Sequence, residues 1–469
     1  MDLQSFTKHL RAVVFADPAL DRRPLEDLLD AIPGVADLTD MPAGTAVLVR
    51  ADLDTSVKDG KVKDTARIEA CAPTIAFCCE MGWKPVVFGH IGRDRANSTR
   101  PIRDAMQKQI ERKVVFIEDW LDEEGGRLNG AFVAKVAAAE AGTPFLLENT
   151  RKYAIETALW GIDEAGLAGV APRLYAIARD MRHRLTAVEI NEAIAASNTD
   201  FSSSVVPLFM DRTAFGSYIA EELKTSVREV RKADCVVFSG LKIDKLDALE
   251  GIVERGAVKM IIAGGSIAMA LIKARAQLEG RDFFLGLAET DPAQKAYIPA
   301  KRTEQAQRLI TRCRDSGIAV VLPADFVLEN GVVSGLIPEG HAQMDIGPET
   351  RSLFAETLKA YARKRRQASE PCILFYNGVL GKFEEPAFAE GTKAFVGLLK
   401  ELKDAGVAVY VGGGEGRKAL ETYGRIEDVT HAFTCGGTIL KSLTNRHIAF
   451  LKAMYLQNRG LIDGSDDDR

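Results

Sequence analysis

The chain has 469 residues, a formal net charge of −5 at pH 7, and 46% hydrophobic against 27% charged residues. This composition is typical of a soluble globular protein, and the length predicts two or three domains. The negative charge argues against a general nucleic-acid-binding protein. No apolar run approaches the ~18 residues of a membrane span, and the N-terminus does not resemble a signal peptide. We therefore expect a cytoplasmic protein with neither a nucleic-acid nor a membrane partner.

Cysteine and histidine spacing gives no sign of a zinc site or a disulfide framework. The seven cysteines are scattered without a CxxC pair, and the six histidines are dispersed. Small core residues in a reducing compartment are the expected role of such cysteines.

Short β-rich runs alternate with helical patterns, such as the one over 66–82, in both halves of the chain. The runs of the first half are AVLVRADL (46–53), KPVVFGHIG (84–92), KVVFIED (113–119), PFLLENTR (144–151) and LTAVEIN (185–191). Those of the second half are CVVFSG (235–240), VKMIIAGG (258–265), AVVLPADFVL (319–328), CILFYNG (372–378), AVYVGGG (408–414) and HAFTCGG (431–437). Strands that are apolar almost throughout are typical of parallel sheets covered on both faces. Two blocks of alternation predict two doubly wound, Rossmann-like α/β domains.

The boundaries of these domains follow from the same pattern. We expect an N-terminal extension over 1–44, a first α/β domain over 45–216, a rigid connecting helix over 217–234 and a second α/β domain over 235–440. The connecting segment is charged and has a helical period. Residues 441–469 are a C-terminal segment and a candidate to return to the first domain.

The residues that follow the predicted strands differ between the two halves. Cationic side chains follow the strands of the first half: Arg50, His90, Arg93 and Arg151. Glycines follow those of the second: Gly240, Gly264, Gly265, Gly378, Gly412, Gly413, Gly414, Gly436 and Gly437. Ligands of open parallel sheets bind beyond the carboxyl ends of the strands, and backbone amides at glycine turns bind phosphates. Taken alone, the cations also fit a solvated loop, whereas the repeated glycines favour a nucleotide site.

Nine motifs in sequence order give the chain a resemblance to the phosphoglycerate kinase family. They are VLVRADLDTSVKDGKVKDTARI (47–68), GHIGR, FLLENTR, SGLKIDK, IIAGGSIAMALIKA, MDIGPET, FYNGVLGKFEEPAFAEGTKA, VGGGEGRKAL and HAFTCGGT. The resemblance implies reversible, Mg²⁺-dependent phosphoryl transfer between ATP and the carboxylate of 3-phosphoglycerate, which gives an acyl phosphate and ADP. It further implies a glycolytic monomer that binds the acid in its first domain and the nucleotide in its second, and closes by hinge bending.

The resemblance also assigns roles to residues of the first domain. Arg67 matches an arginine that reaches the transferring group, although alone it would be a solvated helix residue. Arg50, His90, Arg93 and Arg151 match anion contacts, for which arginine is well shaped. Asp52 matches an acceptor for the substrate hydroxyl, with a turn cap as the alternative, and Asp54 takes the place of a family asparagine in the acid site.

In the second domain the resemblance assigns the nucleotide site. Lys242 matches a catalytic lysine, and Lys245 matches a second lysine at a spacing one residue shorter than in the family. Asn377 lies on the nucleotide strand, and Glu384 matches a ribose ligand. Glu415 matches the acidic residue near magnesium. The alternatives are a snorkelling lysine at 242 and helix-start acids at 384 and 415.

Several positions depart from the family pattern, mostly in the acid site. The arginine that would bind the substrate phosphate falls on Thr199, and flanking histidines fall on Asn198 and Phe201. Asp200 and Asp54 add negative charge, with Arg212 the nearest candidate to restore a cation. Three hypotheses follow: a kinase for 3-phosphoglycerate, a paralogous kinase for another small acid, or a nucleotide-binding protein without catalysis. The presence of Arg67 and Lys242 argues against the third.

Overall fold

The chain forms two compact units in a computed structural model that describes residues 1–194, 199–434, 436–444 and 448–460. The first unit contains the described residues of Met1–Thr225 and Arg446–Arg469, and the second those of Ser226–Asn445. Each unit is built on a six-stranded parallel sheet, which confirms the predicted fold class.

The sheet of the first unit is formed by strands that are almost entirely buried. They are β1 (Ala46–Ala51), β2 (Lys84–Phe88), β3 (Val115–Ile117), β4 (Phe145–Leu147), β5 (Val188–Glu192) and β6 (Arg212–Phe215). Their order across the sheet is β6-β5-β1-β2-β4-β3. In the centre, Val49 of β1 lies opposite Val87 of β2 and Ile190 of β5, so apolar residues face the helices on both sides. The edge strand β6 has no counterpart among the predicted strands.

Helices cover this sheet and extend the unit at its N-terminus. The α-helices are Leu3–Val14, Pro18–Asp21, Leu25–Ala31, Ala66–Glu80, Arg100–Ile110, Gly130–Ala138, Glu164–Arg184 and Ala449–Asn458. The first of them starts at an N-cap, Asp2, whose carboxylate accepts from the Ser5 amide. Short 3₁₀ or π turns span Val35–Leu38, Thr150–Lys152, Ala154–Thr157, Phe201–Val205 and Val206–Phe209. Two small antiparallel hairpins pair Val57–Lys58 with Lys61–Val62 and Leu121–Asp122 with Arg127–Leu128.

The N-terminal helices pack against the C-terminal helix Ala449–Asn458. Lys452 of that helix is 3% exposed, and its ammonium lies 2.6 Å from an Asp21 carboxylate oxygen and 3.1 Å from the Phe15 carbonyl oxygen. A buried lysine requires such partners because desolvation of its charge is costly. The first unit therefore includes both ends of the described chain.

Two carboxyl groups of β5 are buried, and among the described residues they differ in their hydrogen-bond donors. Glu192 accepts from the Thr74 hydroxyl at 2.6 Å and from the Tyr218 and Ile219 amides, each at 3.1 Å, at the start of the next helical segment. Glu189, opposite Leu48 of β1, has no hydrogen-bond partner for either oxygen among the described residues. Burial raises the pKa of Glu189 well above its ordinary value.

We expect Glu189→Gln to stabilise the protein increasingly as the pH rises. The raised pKa keeps the native carboxyl protonated while the unfolded one ionises above ~4.3, so stability present at low pH is lost as the pH rises towards the folded-state pKa. The free energy of unfolding, measured in urea, should be higher in the variant than in wild type by a margin that grows by more than about 1 kcal/mol from pH 5 to pH 8. If variant and wild type differed in free energy of unfolding by the same amount at pH 5 and pH 8, the Glu189 carboxyl would not have a raised pKa.

The segment after β6 is helical but not a uniform α-helix. It consists of α-helical Ser217–Ala220, π-helical Glu221–Val227 and α-helical Arg228–Val230, and the division between the two units falls within it. The helical part ends four residues before the predicted limit at 234.

The sheet of the second unit has the same parallel construction. Its strands are β7 (Cys235–Phe238), β8 (Met260–Ala263), β9 (Ala319–Val321), β10 (Ile373–Asn377), β11 (Ala408–Gly412) and β12 (His431–Ala432), in the order β9-β8-β7-β10-β11-β12. Its α-helices are Lys245–Glu254, Gly265–Leu278, Leu287–Thr290, Ala300–Asp315, Pro348–Gln367, Glu390–Asp404, Gly414–Tyr423 and Gly436–Ser442, with 3₁₀ turns at Pro386–Phe388 and Ile426–Asp428.

One predicted strand of the second half is wrong. The run 319–328 is interrupted at Pro323, which has no backbone N–H to donate to a sheet, and only Ala319–Val321 joins the parallel sheet, as an edge strand. Phe326–Leu328 instead pairs antiparallel with Val333–Ser334 and Gln343–Ile346 in a separate three-stranded sheet.

Within the described ranges, no helix is long and apolar enough to cross a membrane. Six cysteines are free thiols, five of them buried, whereas Cys435 lies outside the described residues.

Candidate active site

The centre of the first unit's site is a buried arginine at the carboxyl end of β1. Arg50 is 1% exposed, and its Nε donates to the Ser202 hydroxyl at 2.7 Å. Its Nη1 donates to the Ala51 carbonyl at 2.5 Å, and its Nη2 lies 3.2 Å from Nδ1 of His90. The β1 and β2 ends thus bring together two side chains, Arg50 and His90, that the sequence predicted as anion contacts.

Buried acids surround this arginine. Asp200 lies 3.9 Å from Arg50 Nη2 and accepts from the indole of Trp160 at 2.8 Å. Glu156 accepts from the Ser202 hydroxyl at 2.7 Å, and its burial beside Asp200 raises its pKa above the usual range. The acid predicted at 200 is therefore directed at Arg50 and offsets its charge.

His90 contributes a neutral ring to the same cluster. Burial and the positive charge of Arg50 lower the pKa of His90 well below its ordinary value. Because a guanidinium can only donate, Nδ1 of His90 accepts, and the ring proton resides on Nε2, 3.9 Å from an Asp54 carboxylate oxygen. His90, Glu156 and Asp200 lie close enough to ligate a metal, but the Arg50 guanidinium already supplies the positive charge there.

Arg67 and Asp52 form a tight ion pair in this unit. Arg67 Nη1 donates to both Asp52 carboxylate oxygens, at 2.6 and 2.8 Å, and its side chain remains 30% exposed. Asp52 follows β1, and Arg67 begins the helix Ala66–Glu80, which Thr74 anchors to Glu192. The pair holds a partly exposed guanidinium at the carboxyl edge of the sheet.

The loop after β2 is fixed to the strand ends by side chains that were also predicted. The Gly92 amide donates to Asp54 at 2.7 Å, and Arg151 Nη1 donates to the Gly92 carbonyl at 2.6 Å. Arg151 also lies over the Trp160 ring at 5.0 Å. Arg93, the next residue of the loop, is exposed and forms no hydrogen bond or ion pair within the described part of the chain.

The position of the missing arginine is not compensated by Arg212. Thr199 donates its hydroxyl proton to the Leu159 carbonyl at 3.1 Å, and Asn198 lies outside the described residues. Arg212 is the first residue of β6, at the amino edge of the sheet, where it pairs with Asp40 at 2.8 Å. The expectation that it could restore the cation is wrong, because the amino and carboxyl ends of parallel strands lie on opposite edges.

Glycine turns of the second unit approach one another around a lysine. Gly240 and Gly378 follow neighbouring strands, β7 and β10, with φ of +105° and +110°. A Cβ on Gly378 would lie 2.0 Å from the Ser239 carbonyl oxygen, so only glycine fits. Lys245 Nζ donates to that oxygen at 3.0 Å and would lie 3.1 Å from a Cβ at either glycine. Burial lowers the pKa of Lys245.

The other predicted glycines lie at the ends of three further strands of this unit, β8, β11 and β12. Gly265 starts a helix directly beneath the first turn, where a Cβ would lie 2.4 Å from the Gly240 carbonyl oxygen. Gly264 precedes it as the N-cap residue. A Cβ on Gly436 would lie 2.5 Å from the Gly413 Cα, so these two turns also touch. Of the remaining members of the predicted set, Gly412 ends β11, and Gly414 and Gly437 lie in the first turns of the helices Gly414–Tyr423 and Gly436–Ser442.

The predicted polar residues of the second unit lie around these turns. Asn377 is buried, and its amide donates to the Gly412 carbonyl at 2.9 Å. Glu415 begins a helix, and its carboxylate lies 3.6 Å from Lys245 Nζ. Lys242 and Glu384 are exposed, the first before Lys245 and the second after β10.

Some residues of the site carried no usable signal in the sequence. Ser202 and Glu156 are ordinary residues of irregular segments, and only the fold brings them to Arg50. Ser239 contributes a backbone carbonyl, which residue type does not reveal. Asn149 fixes the β2 loop through the Ile91 amide and carbonyl, and its place in the FLLENTR motif was its one signal.

The fold and site define a class of two-unit α/β proteins with a cationic sheet edge in one unit and glycine turns in the other. A sequence profile described as phosphoglycerate kinase matches residues 36–446. The chain belongs to the phosphoglycerate kinase family.

Individual relatives agree along almost the whole chain. The phosphoglycerate kinase of Rhodospirillum centenum is 30% identical over 431 residues, 88% of this chain and 97% of its own. That of Eremothecium gossypii is 28% identical over 426 residues, 87% and 94% respectively. The fold resembles the phosphoglycerate kinase of Pyrococcus horikoshii, with a TM-score of 0.71 and 21% identity over 91% of this chain and 100% of that one. It also resembles the phosphoglycerate kinase of Coxiella burnetii, with a TM-score of 0.69 and 21% identity over 90% of this chain and 98% of that one.

Proposed function

We propose that this protein transfers a phosphoryl group reversibly between ATP and the carboxylate of 3-phosphoglycerate, giving an acyl phosphate and ADP. Family membership over residues 36–446 supports the reaction type. The observation that carries the proposal is the ammonium of Lys245, held between the glycine turns of β7 and β10. A cation among backbone amides at strand ends suits the charged oxygens of a nucleotide phosphate.

The residues around this lysine also fit a magnesium ion. Glu415 offers an oxygen ligand at a helix start, and Mg²⁺ is usually bound by one or two carboxylates together with substrate phosphates. When bound, the ion would neutralise charge on the phosphates. Glu384, exposed after β10, would bind the ribose, and Asn377 would hold the turn after β11 through the Gly412 carbonyl.

The first unit would bind the acid at its cationic sheet edge. Arg151 and Arg93 would contact the acid, and Arg50 with neutral His90 would position that edge. Asp52 would accept from the substrate hydroxyl, and Arg67 would leave the Asp52 pair to reach the transferring group. Lys242 would stabilise the charge on that group. Because the two substrates must meet, the proposal includes hinge closure of the units, in a cytoplasmic, glycolytic monomer.

The proposal is tested by measuring ADP release from MgATP in a coupled assay with 3-phosphoglycerate and a panel of small unphosphorylated hydroxy acids. We expect turnover with 3-phosphoglycerate above that with every other acid. Turnover only with another acid would establish a changed acceptor, and ADP release independent of any acid would indicate an ATPase instead.

We expect the apparent affinity for 3-phosphoglycerate to be low and to improve in Thr199→Arg. A hydrogen bond to a charged group contributes roughly 1.5–3 kcal/mol, a factor of about 10–150 in affinity, and Thr199 supplies no positive charge. KM for 3-phosphoglycerate should fall by about tenfold or more in Thr199→Arg. The control Thr422→Arg adds the same charge on an exposed helix of the second unit. An equal KM in wild type and Thr199→Arg would show that residue 199 does not face the acid.

A further inference from the structure

A second cleft of the first unit lies at the edge of the sheet opposite to the site described above. It has a volume of about 760 Å³ and lies beside the amino end of β6, where Asp211, Arg212 and Thr213 form one wall. The helix Glu164–Arg184 and the end of Ala449–Asn458 form two other walls. A volume of this size is typical of small-molecule sites, which range from roughly 300 to 1,000 Å³.

The helix Glu164–Arg184 gives the cleft its positive charge. Arg179 lies one turn before Arg182 and His183 on the same face of that helix, and all three line the cleft. Arg182 is paired with Asp211 at 2.5 Å. Neither Arg179 nor His183 has a hydrogen-bond or ion-pair partner within the described ranges. The Arg179 guanidinium and the His183 ring thus remain available to a ligand.

One end of the cleft is aromatic. Tyr175 lies one turn before Arg179 on the same helix, and its ring packs edge-on against Phe209 with centroids 5.2 Å apart. The Tyr175 hydroxyl donates to the Met1 carbonyl at 3.1 Å, which fixes the ring. An apolar surface beside the Arg179 guanidinium favours a ligand with an apolar body and an anionic group.

Part of the wall comes from segments that the family profile does not cover. The profile ends at residue 446, whereas Gln457, Asn458 and Gly460 line the cleft, together with Met1 and Pro33 before residue 36. Asn458 donates to the Thr213 hydroxyl at 2.6 Å and Gln457 to the Asp211 carbonyl at 2.6 Å. These contacts build the cleft from both ends of the described chain, apart from the residues assigned to phosphoryl transfer.

We propose that this cleft, here called the arginine cleft, binds a small organic anion: a carboxylate, sulfonate or phosphate joined to an aromatic or aliphatic body. Arg179 contacts the anionic group, and Tyr175 and Phe209 contact the apolar part. The site is separate from the acid and nucleotide sites.

The probe for the test is anilinonaphthalenesulfonate, an aromatic monoanion whose fluorescence rises on binding. The full-length protein is titrated in saturating MgADP and 3-phosphoglycerate, so that the proposed substrate sites are filled. We expect saturable binding, weakened about fivefold in Arg179→Gln, as for one partly exposed charged contact. The matched control is Arg173→Gln on the same helix, whose arginine pairs with Glu123 at 3.3 Å and does not line the cleft. Retained binding in Arg179→Lys would support the role of charge.

Two results would overturn the proposal. Equal probe affinity in wild type and Arg179→Gln would exclude the arginine cleft, and loss of probe binding when the substrates are added would place the probe in a substrate site. The comparison of Arg179→Gln with Arg173→Gln does not depend on kinase activity, so failure of the proposed function leaves it interpretable.

Discussion

Arg67→Ala and Lys242→Ala should each lower kcat by about 10²–10³ while changing the dissociation constant of MgADP by less than about tenfold. Phosphoryl transfer depends on positioning and on neutralising charge that spreads over the phosphoryl oxygens. Arg67 holds a partly exposed guanidinium against Asp52, and Lys242 is exposed beside the glycine turns. Each side chain is at least partly exposed and can contact the transferring group, so we expect its loss to destabilise mainly the transition state.

The controls are charge removals of the same kind elsewhere in each unit. Arg103→Ala removes a surface arginine paired with Asp104, and Lys232→Ala removes a lysine paired with Glu229. Because Arg67→Ala also leaves Asp52 without its partner, Arg67→Lys is measured beside it, and we expect an intermediate kcat. Near-normal kcat in both alanine variants would exclude these residues from catalysis.

Gly378→Ala should lower the free energy of unfolding by about 2–5 kcal/mol and weaken MgADP binding. The left-handed conformation costs a non-glycine residue about 1–2 kcal/mol, and a forced overlap in a packed region costs about 1–3 kcal/mol more. The new Cβ would lie 2.0 Å from the Ser239 carbonyl oxygen and 3.1 Å from Lys245 Nζ. Because Lys245 donates to the Ser239 carbonyl, relief of this overlap must displace the lysine. We therefore expect MgADP affinity to fall together with the free energy of unfolding.

The control Gly256→Ala separates the cost of the left-handed backbone conformation from the cost of the overlap. Gly256 has φ of +80°, but nothing lies within 4 Å of a Cβ placed there. Urea unfolding should therefore show only the conformational cost, about 1–2 kcal/mol, and calorimetric titration should show unchanged MgADP affinity. Equal effects of the two substitutions would mean that the turns after β7 and β10 are not held in close contact.

Much of the fold could be predicted from the sequence because parallel strands buried on both faces are continuously apolar. The central strands β1, β2, β7 and β10 lie within the predicted runs for this reason. The edge strand β6 was missed because Arg212 and Thr213 interrupt the apolar run. The run 319–328 was assigned as one strand since its residues are apolar on both sides of Pro323, and only pairing partners distinguish its two parts.

The site was predictable where residue type determines the chemistry and not where the fold alone creates a neighbour. Turn glycines and strand-end cations have a recognisable pattern, and Arg50 and His90 do meet. The acids Glu156 and Asp200 reach Arg50 from irregular segments remote in sequence, so sequence spacing could not show that they offset its charge. Arg212 is near Thr199 in sequence, but nearness along the chain does not show that Arg212 lies at the amino end of its strand, on the opposite edge of the sheet.

The most direct measurement of the central proposal traps the acyl phosphate itself. The protein is incubated with MgATP, 3-phosphoglycerate and hydroxylamine, which converts an acyl phosphate to a hydroxamate, and hydroxamate and ADP are quantified together. We predict that both form in equal amounts, that neither forms without 3-phosphoglycerate, and that Arg67→Ala and Lys242→Ala reduce both in parallel. ADP formation without hydroxamate, or no ADP at all, would contradict phosphoryl transfer to a carboxylate.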